Sequence, residues 1–372
     1  MDCTRKLFLT KNPYDLSGTD ALFVAAVKQN VELHMARCPE YWALLEREAF
    51  SPSTLKSIED MYRVPVLPTL FLKAHPLFSM EEKRFLIRAT SSGTSGMKSR
   101  IGIDAVSFSY GLYMLLKLFS HHRLLSLAPT NYIVLGYQPT REMETGAVKT
   151  AYGVTYFAPA LHREYALEYR DGVYAPNMEG IECALKKYQK QGLPVRFVGF
   201  PYFMLVLTQT LEKSGHRLTL PKGSKVLLGG GFKQQAGKRV EKRELFDRIG
   251  HTLGIPEGGC KEFFSAAEHP IAYCDCANHH FHVPVYSRVI IRDVQSLRPL
   301  PYGQPGLLSF VTPIMQSVPF VSVMTDDIAV LHEGKSCGCG IDAPYFEVLG
   351  RANAQGIKTC AAGAAEALEA GA

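Results

Sequence analysis

No apolar run in this 372-residue chain approaches the roughly 20 residues that a bilayer-spanning helix needs; the stretch from Phe203 to Leu207 is one of the longest. The N-terminus, Met1-Asp2-Cys3-Thr4-Arg5-Lys6, lacks the apolar core of a secretory signal. Both absences set the expectation of a cytoplasmic protein without a membrane span. A strong charge of one sign is missing too. The formal net charge is +6, from 41 basic and 35 acidic side chains, which suits an anionic ligand and is too mild to point to nucleic acid. There is no internal repeat, and low complexity is confined to the Ala-rich end, residues 361–372. What is present is 47% hydrophobic and 20% charged, enough for a sizeable core, which excludes general disorder. The length fits one large domain or two medium ones.

Nine cysteines are an odd number, and in a cytoplasmic chain that argues against a disulfide framework. Four of them form two close pairs, Cys274-Asp275-Cys276 and Cys337-Gly338-Cys339. Four thiolates brought together favour tetrahedral Zn²⁺, although Cys-x-Cys is tighter than the usual spacing. His279, His280 and His282 follow the first pair, and one of them could replace a thiolate; Gly338 and Gly340 suit a tight knuckle. Buried thiols with solvent-facing histidines are the plain alternative. Cys360 stands alone near the end, while Cys3, Cys38, Cys183 and Cys260 receive no role.

Apolar spacing predicts helices over 20–37, 41–49 and 54–61, and Pro65 and Pro68 then break the pattern. From there strands (84–90, 131–136, 195–200, 224–228) alternate with helices (108–127, 179–191, 203–213, 238–253). Beyond Cys260 the strands dominate, over 279–293, 306–312 and 320–331. The fold class expected is α/β, with mixed sheets flanked by helices and a β-rich C-terminal portion. Its segments would be 1–260 (helical lead-in and ligand-binding core), 261–350 (β-rich, with the metal candidate) and 351–372 (tail).

Thr90-Ser91-Ser92-Gly93-Thr94-Ser95-Gly96 follows a predicted strand. Small hydroxyl residues and glycines let a backbone wrap an anion, with N–H and O–H groups donating to phosphate oxygens. No Gly-Lys-Ser/Thr ends the run, so it is not a Walker A loop, and alone it reads equally as a Ser/Gly turn. The run resembles the phosphate loop of the adenylate-forming enzymes, with Lys98 and Arg100 straddling the place of that family's lysine. Further motifs follow in the family's order. Gly229-Gly230-Gly231 resembles the segment beside the adenine. Phe264-Ser265-Ala266-Ala267-Glu268 resembles Tyr-Gly-x-Thr-Glu, whose acid helps hold Mg²⁺ and ATP. Tyr302 to Leu308, then Met324-Thr325-Asp326-Asp327, resemble the run to the ribose-binding aspartate, which falls on Asp327. Gly350-Arg351 resembles the hinge.

The chain stops about twenty residues after Arg351, which sets the expectation that the family's mobile C-terminal domain is truncated. This, with Asn12-Pro13-Tyr14, Val64-Pro65-Val66-Leu67-Pro68 and Leu228-Gly229-Gly230-Gly231-Phe232-Lys233, resembles the acyl-protein synthetase (LuxE) family of bacterial luciferase systems; phenylacetate-CoA ligases are the next nearest pattern. The resemblance implies ATP-dependent activation of a fatty or aryl acid to acyl-AMP, then thioester formation on Cys360. Thr359 could cap a helix that begins there, and Lys358 beside the thiol would lower its pKa or stand in for the missing catalytic lysine. The phenylacetate ligase pattern favours His282 as the metal ligand among the three histidines. The cofactors implied are ATP, Mg²⁺ and a structural Zn²⁺. The partners implied are the acid, an acyl reductase, a carrier protein or CoA as acceptor, and a second copy of the chain in a homo-oligomer. Residues 110–116 and 137–145 are offered for an acyl pocket, against plain core packing. Two rival readings stand: a CoA or carrier-protein ligase in which Cys360 is incidental, and a degenerate zinc-containing interaction subunit.

Overall fold

The computed structural model describes residues 2–90, 99–140, 146–231 and 240–352. Contacts divide the chain into two units, residues 1–122 together with 265–372, and residues 123–264. The helical lead-in and the β-rich C-terminal part, placed in separate segments by a linear reading, therefore share one unit.

The first unit opens with α1 (Cys3–Phe8), α2 (Asp20–Arg37) and α3 (Pro39–Arg47). Asp2 caps α1 by accepting from the Arg5 N–H, and Pro39 lies in the first turn of α3, where its missing donor costs nothing. Where a helix was expected over 54–61 there are two 3-10 turns, Pro52–Thr54 and Ile58–Arg63. The Asp60 carboxylate accepts from the Lys56 and Ser57 N–H groups, part of a capping box that starts the second turn afresh at Ile58. After β1 (Leu67–Pro68) and α4 (Thr69–Ala74), β2 (Ile87–Thr90) pairs antiparallel with β3 (Arg100–Ile103). Asp104 then caps α5 (Ala105–His121). This helix stops short of 127 because the backbone of Arg123 turns to a φ of 55°.

In the second unit the elements are β4 (Thr130–Tyr137), α6 (Gly146–Val154), β5 (Ala160–Arg170), β6 (Val173–Pro176), α7 (Met178–Gln191), β7 (Val195–Gly199), α8 (Pro201–Lys213), β8 (Lys225–Gly229), α9 (Lys242–Leu253) and β9 (Cys260–Ala266). The strands lie in the order β9-β8-β7-β4-β5-β6, parallel except for the last pair. Parallel strands covered by helices read as near-continuous apolar runs, as Tyr132-Ile133-Val134-Leu135 does. One face, with Ile133, Leu135, Phe197, Val226 and Leu228, packs on the apolar stripes of α7, α8 and α9.

β9 turns at Ala267–Glu268 into β10 (His269–Cys274), back in the first unit. There β11 (Phe281–His282), β12 (Arg288–Arg292), β13 (Pro305–Val311), β14 (Ser322–His332) and β15 (Tyr345–Arg351) form an antiparallel sheet ordered β11-β15-β14-β13-β12, to which β1 adds parallel to β14. The lead-in is bound to this part by specific contacts. The Val285 N–H donates to Pro13 O at 2.7 Å, Arg288 pairs with Asp20 at 2.6 Å, and Phe8 stacks between Tyr110 and Tyr286.

Of the three fully buried histidines of this unit, His34, His269 and His282, the first two lie away from the cysteine pairs. His34 donates from Nε2 to Met315 O and accepts at Nδ1 from Ser79 Oγ; His269 meets Tyr273 Oη at 2.8 Å. Burial pushes both rings down from the usual 6.5 to about 3. The folded pKa lies below the unfolded one, so this stability is whole above pH 6.5 and is lost as pH falls towards 3, at about 1.4 kcal/mol per histidine per pH unit. Melting temperature is expected to fall between pH 6.5 and 5, and His269→Gln to flatten that slope. A melting temperature unchanged over the interval rejects the assignment.

Candidate functional site

The Sγ atoms of Cys276, Cys337 and Cys339 and a ring nitrogen of His282 all lie within 4.8 Å of one another. Local structure explains each position. The Cys276 N–H donates to His280 O, closing a turn, and the Asn278 N–H points back at Cys276 Sγ at 3.3 Å. Gly338, at a φ of 72°, turns the chain between Cys337 and Cys339 so that both sulfurs face inward. His282 Nδ1 donates to Ala343 O at 2.6 Å, which leaves the Nε2 lone pair aimed at the cluster, 3.2 Å from Cys339 Sγ. The donor set fits Zn²⁺. Two Zn–S bonds of about 2.3 Å at a tetrahedral angle put their sulfurs about 3.8 Å apart, and Cys276 and Cys337 are 3.6 Å apart. Burial pushes the Cys276 thiol up, but the adjacent His282 ring and backbone N–H groups bring it down to about 6, while burial pushes Cys337 up to about 12.

Cys274 is not one of the four; the sequence reading placed it beside Cys276 in the metal set. β10 ends at Cys274 and the chain bends at the Asp275–Phe281 bridge, so its buried sulfur lies 3.6 Å from Asp275 O instead. The neighbouring histidines have other duties: His279 pairs with Asp275 at 2.9 Å, and His280 stacks on Tyr345 with Nδ1 3.2 Å from Cys337 Sγ.

Of the residues offered for nucleotide chemistry, Ser91, Ser92, Gly93, Thr94, Ser95, Gly96 and Lys98, with Lys358 and Cys360, lie outside the described residues. The flanks of the loop are defined: Thr90 pairs with Arg100 at the end of the β2–β3 hairpin. Arg100 is engaged, its Nη2 donating to both Glu82 oxygens at 2.9 Å, and lies over Phe78. In the first unit, Glu268 sits in the β9–β10 turn, buried, and accepts a short hydrogen bond from the buried Ser99 hydroxyl. Nothing in the local sequence announces Ser99; only its place next to Lys98 gave a hint. Asp327 and Arg351 are direct partners across β14 and β15 and form an ion pair at 3.4 Å. Burial raises the Asp327 carboxyl above its ordinary range, and Arg351 opposes the shift. In the second unit, Gly230 and Gly231 leave β8 at φ values of 77° and 61°. A side chain in that region costs about 1–2 kcal/mol. The turn lies at the carboxyl end of a parallel strand, where open α/β sheets take their ligands. For the offered acyl pocket, α5 buries Tyr110 and Met114 but leaves Phe108, Leu112, Tyr113 and Leu116 exposed.

Among the described residues no helix is long and apolar enough to cross a membrane. Comparison with known proteins bears on the architecture and the motifs together. A crystal structure of 2-hydroxyisobutyryl-CoA ligase, in an open conformation with 2-HIB-AMP and CoA, superposes with a TM-score of 0.64 at 18% identity, over 92% of this chain and 76% of that one. A long-chain-fatty-acid-CoA ligase from Archaeoglobus fulgidus superposes at 0.50 and 11% identity, over 73% of this chain and 52% of that one. The fold is thus that of the adenylate-forming ligases. A long-chain-fatty-acid–luciferin-component ligase of Vibrio harveyi is 24% identical over 97% of this chain and 92% of its own length. A protein of the same name from Aliivibrio fischeri is 22% identical over 92% and 88%. The family described as acyl-protein synthetase, LuxE, matches residues 3–369, so nearly the whole length is accounted for, and the chain belongs to that family of acid ligases.

Proposed function

We propose that this protein activates a long-chain fatty acid with ATP to acyl-AMP and pyrophosphate, takes the acyl group onto Cys360 as a thioester, and delivers it to a partner such as an acyl reductase. The observation that carries the reading is the family match over residues 3–369, with relatives named for fatty-acid ligation. The loop Ser91–Gly96 with Lys98 would hold the phosphates, Gly229–Gly231 the adenine side, Asp327 the ribose and Glu268 the Mg²⁺, while Arg351 serves as the hinge. Activation then rests on positioned donors and charge aimed at the transferring group. Lys358 beside the thiol favours its thiolate. The site of Cys276, His282, Cys337 and Cys339 is assigned a structural Zn²⁺, because all four positions are protein ligands and none is left for substrate.

Acid-dependent ATP–pyrophosphate exchange across a panel from short and aromatic to long-chain acids tests the activation step. Exchange highest with long chains is expected, and its absence with every acid rejects activation in favour of an interaction subunit. Label from acid that reaches CoA without passing through the protein rejects the acyl-enzyme in favour of a CoA ligase.

A further inference from the structure

Glu268 is 5% exposed and Ser99 0%, and the Ser99 hydroxyl donates to one oxygen, Oε1, of the Glu268 carboxylate. The two residues are 169 positions apart, so the contact is made by the fold and not by a local turn. A carboxylate this deeply buried is costly unless its charge is met. One neutral hydroxyl satisfies one oxygen and supplies no positive charge, and no ion pair to Glu268 occurs among the described residues.

We propose that Ser99 is a positioning residue for the cation of the activation step: it fixes Glu268 through Oε1 and leaves Oε2 to present to the divalent metal that accompanies ATP. This rests on the acid-activation reading above. Two contacts anchor the backbone that carries the hydroxyl. Arg100, the next residue, donates from Nη2 to both Glu82 oxygens, and Gly102 O accepts from Ser317 Oγ. Ser99 also follows Lys98 directly.

The experiment is ATP–pyrophosphate exchange with the best acid, titrated with MgCl₂, for wild type, Ser99→Ala and Ser99→Thr. Partners that orient a metal ligand are worth about 10–100-fold in metal affinity. Ser99→Ala is expected to raise the half-saturating Mg²⁺ at least about tenfold, with the acid KM unchanged and the rate largely recovered at high Mg²⁺; Ser99→Thr, which keeps the hydroxyl, returns the midpoint towards wild type. A melting curve verifies the fold. Should Ser99→Ala not fold, Ser99→Cys, close in size with a weak donor, takes its place and is expected to shift the midpoint in the same direction. An unchanged midpoint, or a loss of rate that no Mg²⁺ concentration restores, overturns the proposal. Wild-type exchange with an unshifted variant refutes this inference alone, whereas absence of exchange in the wild type refutes acid activation and the inference with it.

Discussion

Protein purified without chelator is expected to contain one zinc per chain, and to lose it in Cys276→Ser, Cys337→Ser, Cys339→Ser or His282→Ala. The four donors sit on two separate knuckles, one after β10 and one before β15, with Asn278 Nδ2 donating to Cys337 O between them. Without a metal, three sulfurs crowded within 4.8 Å must share protons or repel. With it, the thiolates are neutralised and the knuckles are cross-linked, so binding energy becomes folding energy. Loss of a structural metal belongs to the few changes that cost about 4 kcal/mol or more. For a unit of this size that is a fall of about 10 °C in melting temperature. Elemental analysis and thermal melts check both halves. Cys274→Ser is the discriminating control: its sulfur lies outside the set, so the zinc content must stay at one per chain. Metal-free protein with an unchanged melting curve, or zinc loss in Cys274→Ser, refutes the assignment.

Cys360→Ser is expected to abolish the acyl-enzyme while leaving acid-dependent exchange within about twofold of wild type. On the route proposed above, the thiolate would attack the acyl carbon of acyl-AMP, the carbon–oxygen bond to phosphate would break, AMP would leave with the electron pair, and a thioester would form. A serine hydroxyl at the same place is almost wholly protonated at neutral pH, so the transfer should fall at least about 1,000-fold. On that route exchange reads the first half-reaction alone, before the acyl group reaches Cys360. Radiolabelled acid followed on the denatured protein, with release by neutral hydroxylamine, which spares oxygen esters, as the mark of a thioester, reads the effect. Hydroxylamine-labile label retained in the serine variant rules out Cys360 as acceptor, and loss of exchange along with it would move Cys360 into the activation step.

The parts of this structure that were legible in sequence are those whose cause is local. α7, β4 and β7 show their pattern plainly, since a single face or a fully covered strand selects apolar residues at fixed intervals. β5 and β6 were missed because β5 is a mostly half-exposed strand carrying Arg163, Glu164, Glu168 and Arg170, with no clean alternation to read. The pairing of Cys276 with Cys337 and Cys339 was visible as two pairs of cysteines, but the exclusion of Cys274 depends on a bend at Asp275 that leaves no mark in composition. The Ser99–Glu268 contact and the register of Asp327 opposite Arg351 were out of reach in a different sense. Each motif could be recognised alone, whereas what holds its key side chain is a long-range partner of ordinary type.

The discontinuity of the first unit has a consequence for the order in which the molecule forms. Leu67 of β1 finds its neighbour at Val323 of β14, and Pro13 at Val285. As the chain leaves the ribosome, residues 123–264 can close their own parallel sheet while the first 122 residues still wait for their other half. Pairings of such long separation are slow to close, because loop entropy is lost before the contacts are gained. Until the later residues are made, Phe8 lacks its stacking partner Tyr286 and Phe23 the Arg288 guanidinium that lies over its ring. Pulse-labelled chains arrested near residue 270 should be cleaved by protease within the lead-in and spared between 123 and 264, and chains released at full length should gain protection of both ends together.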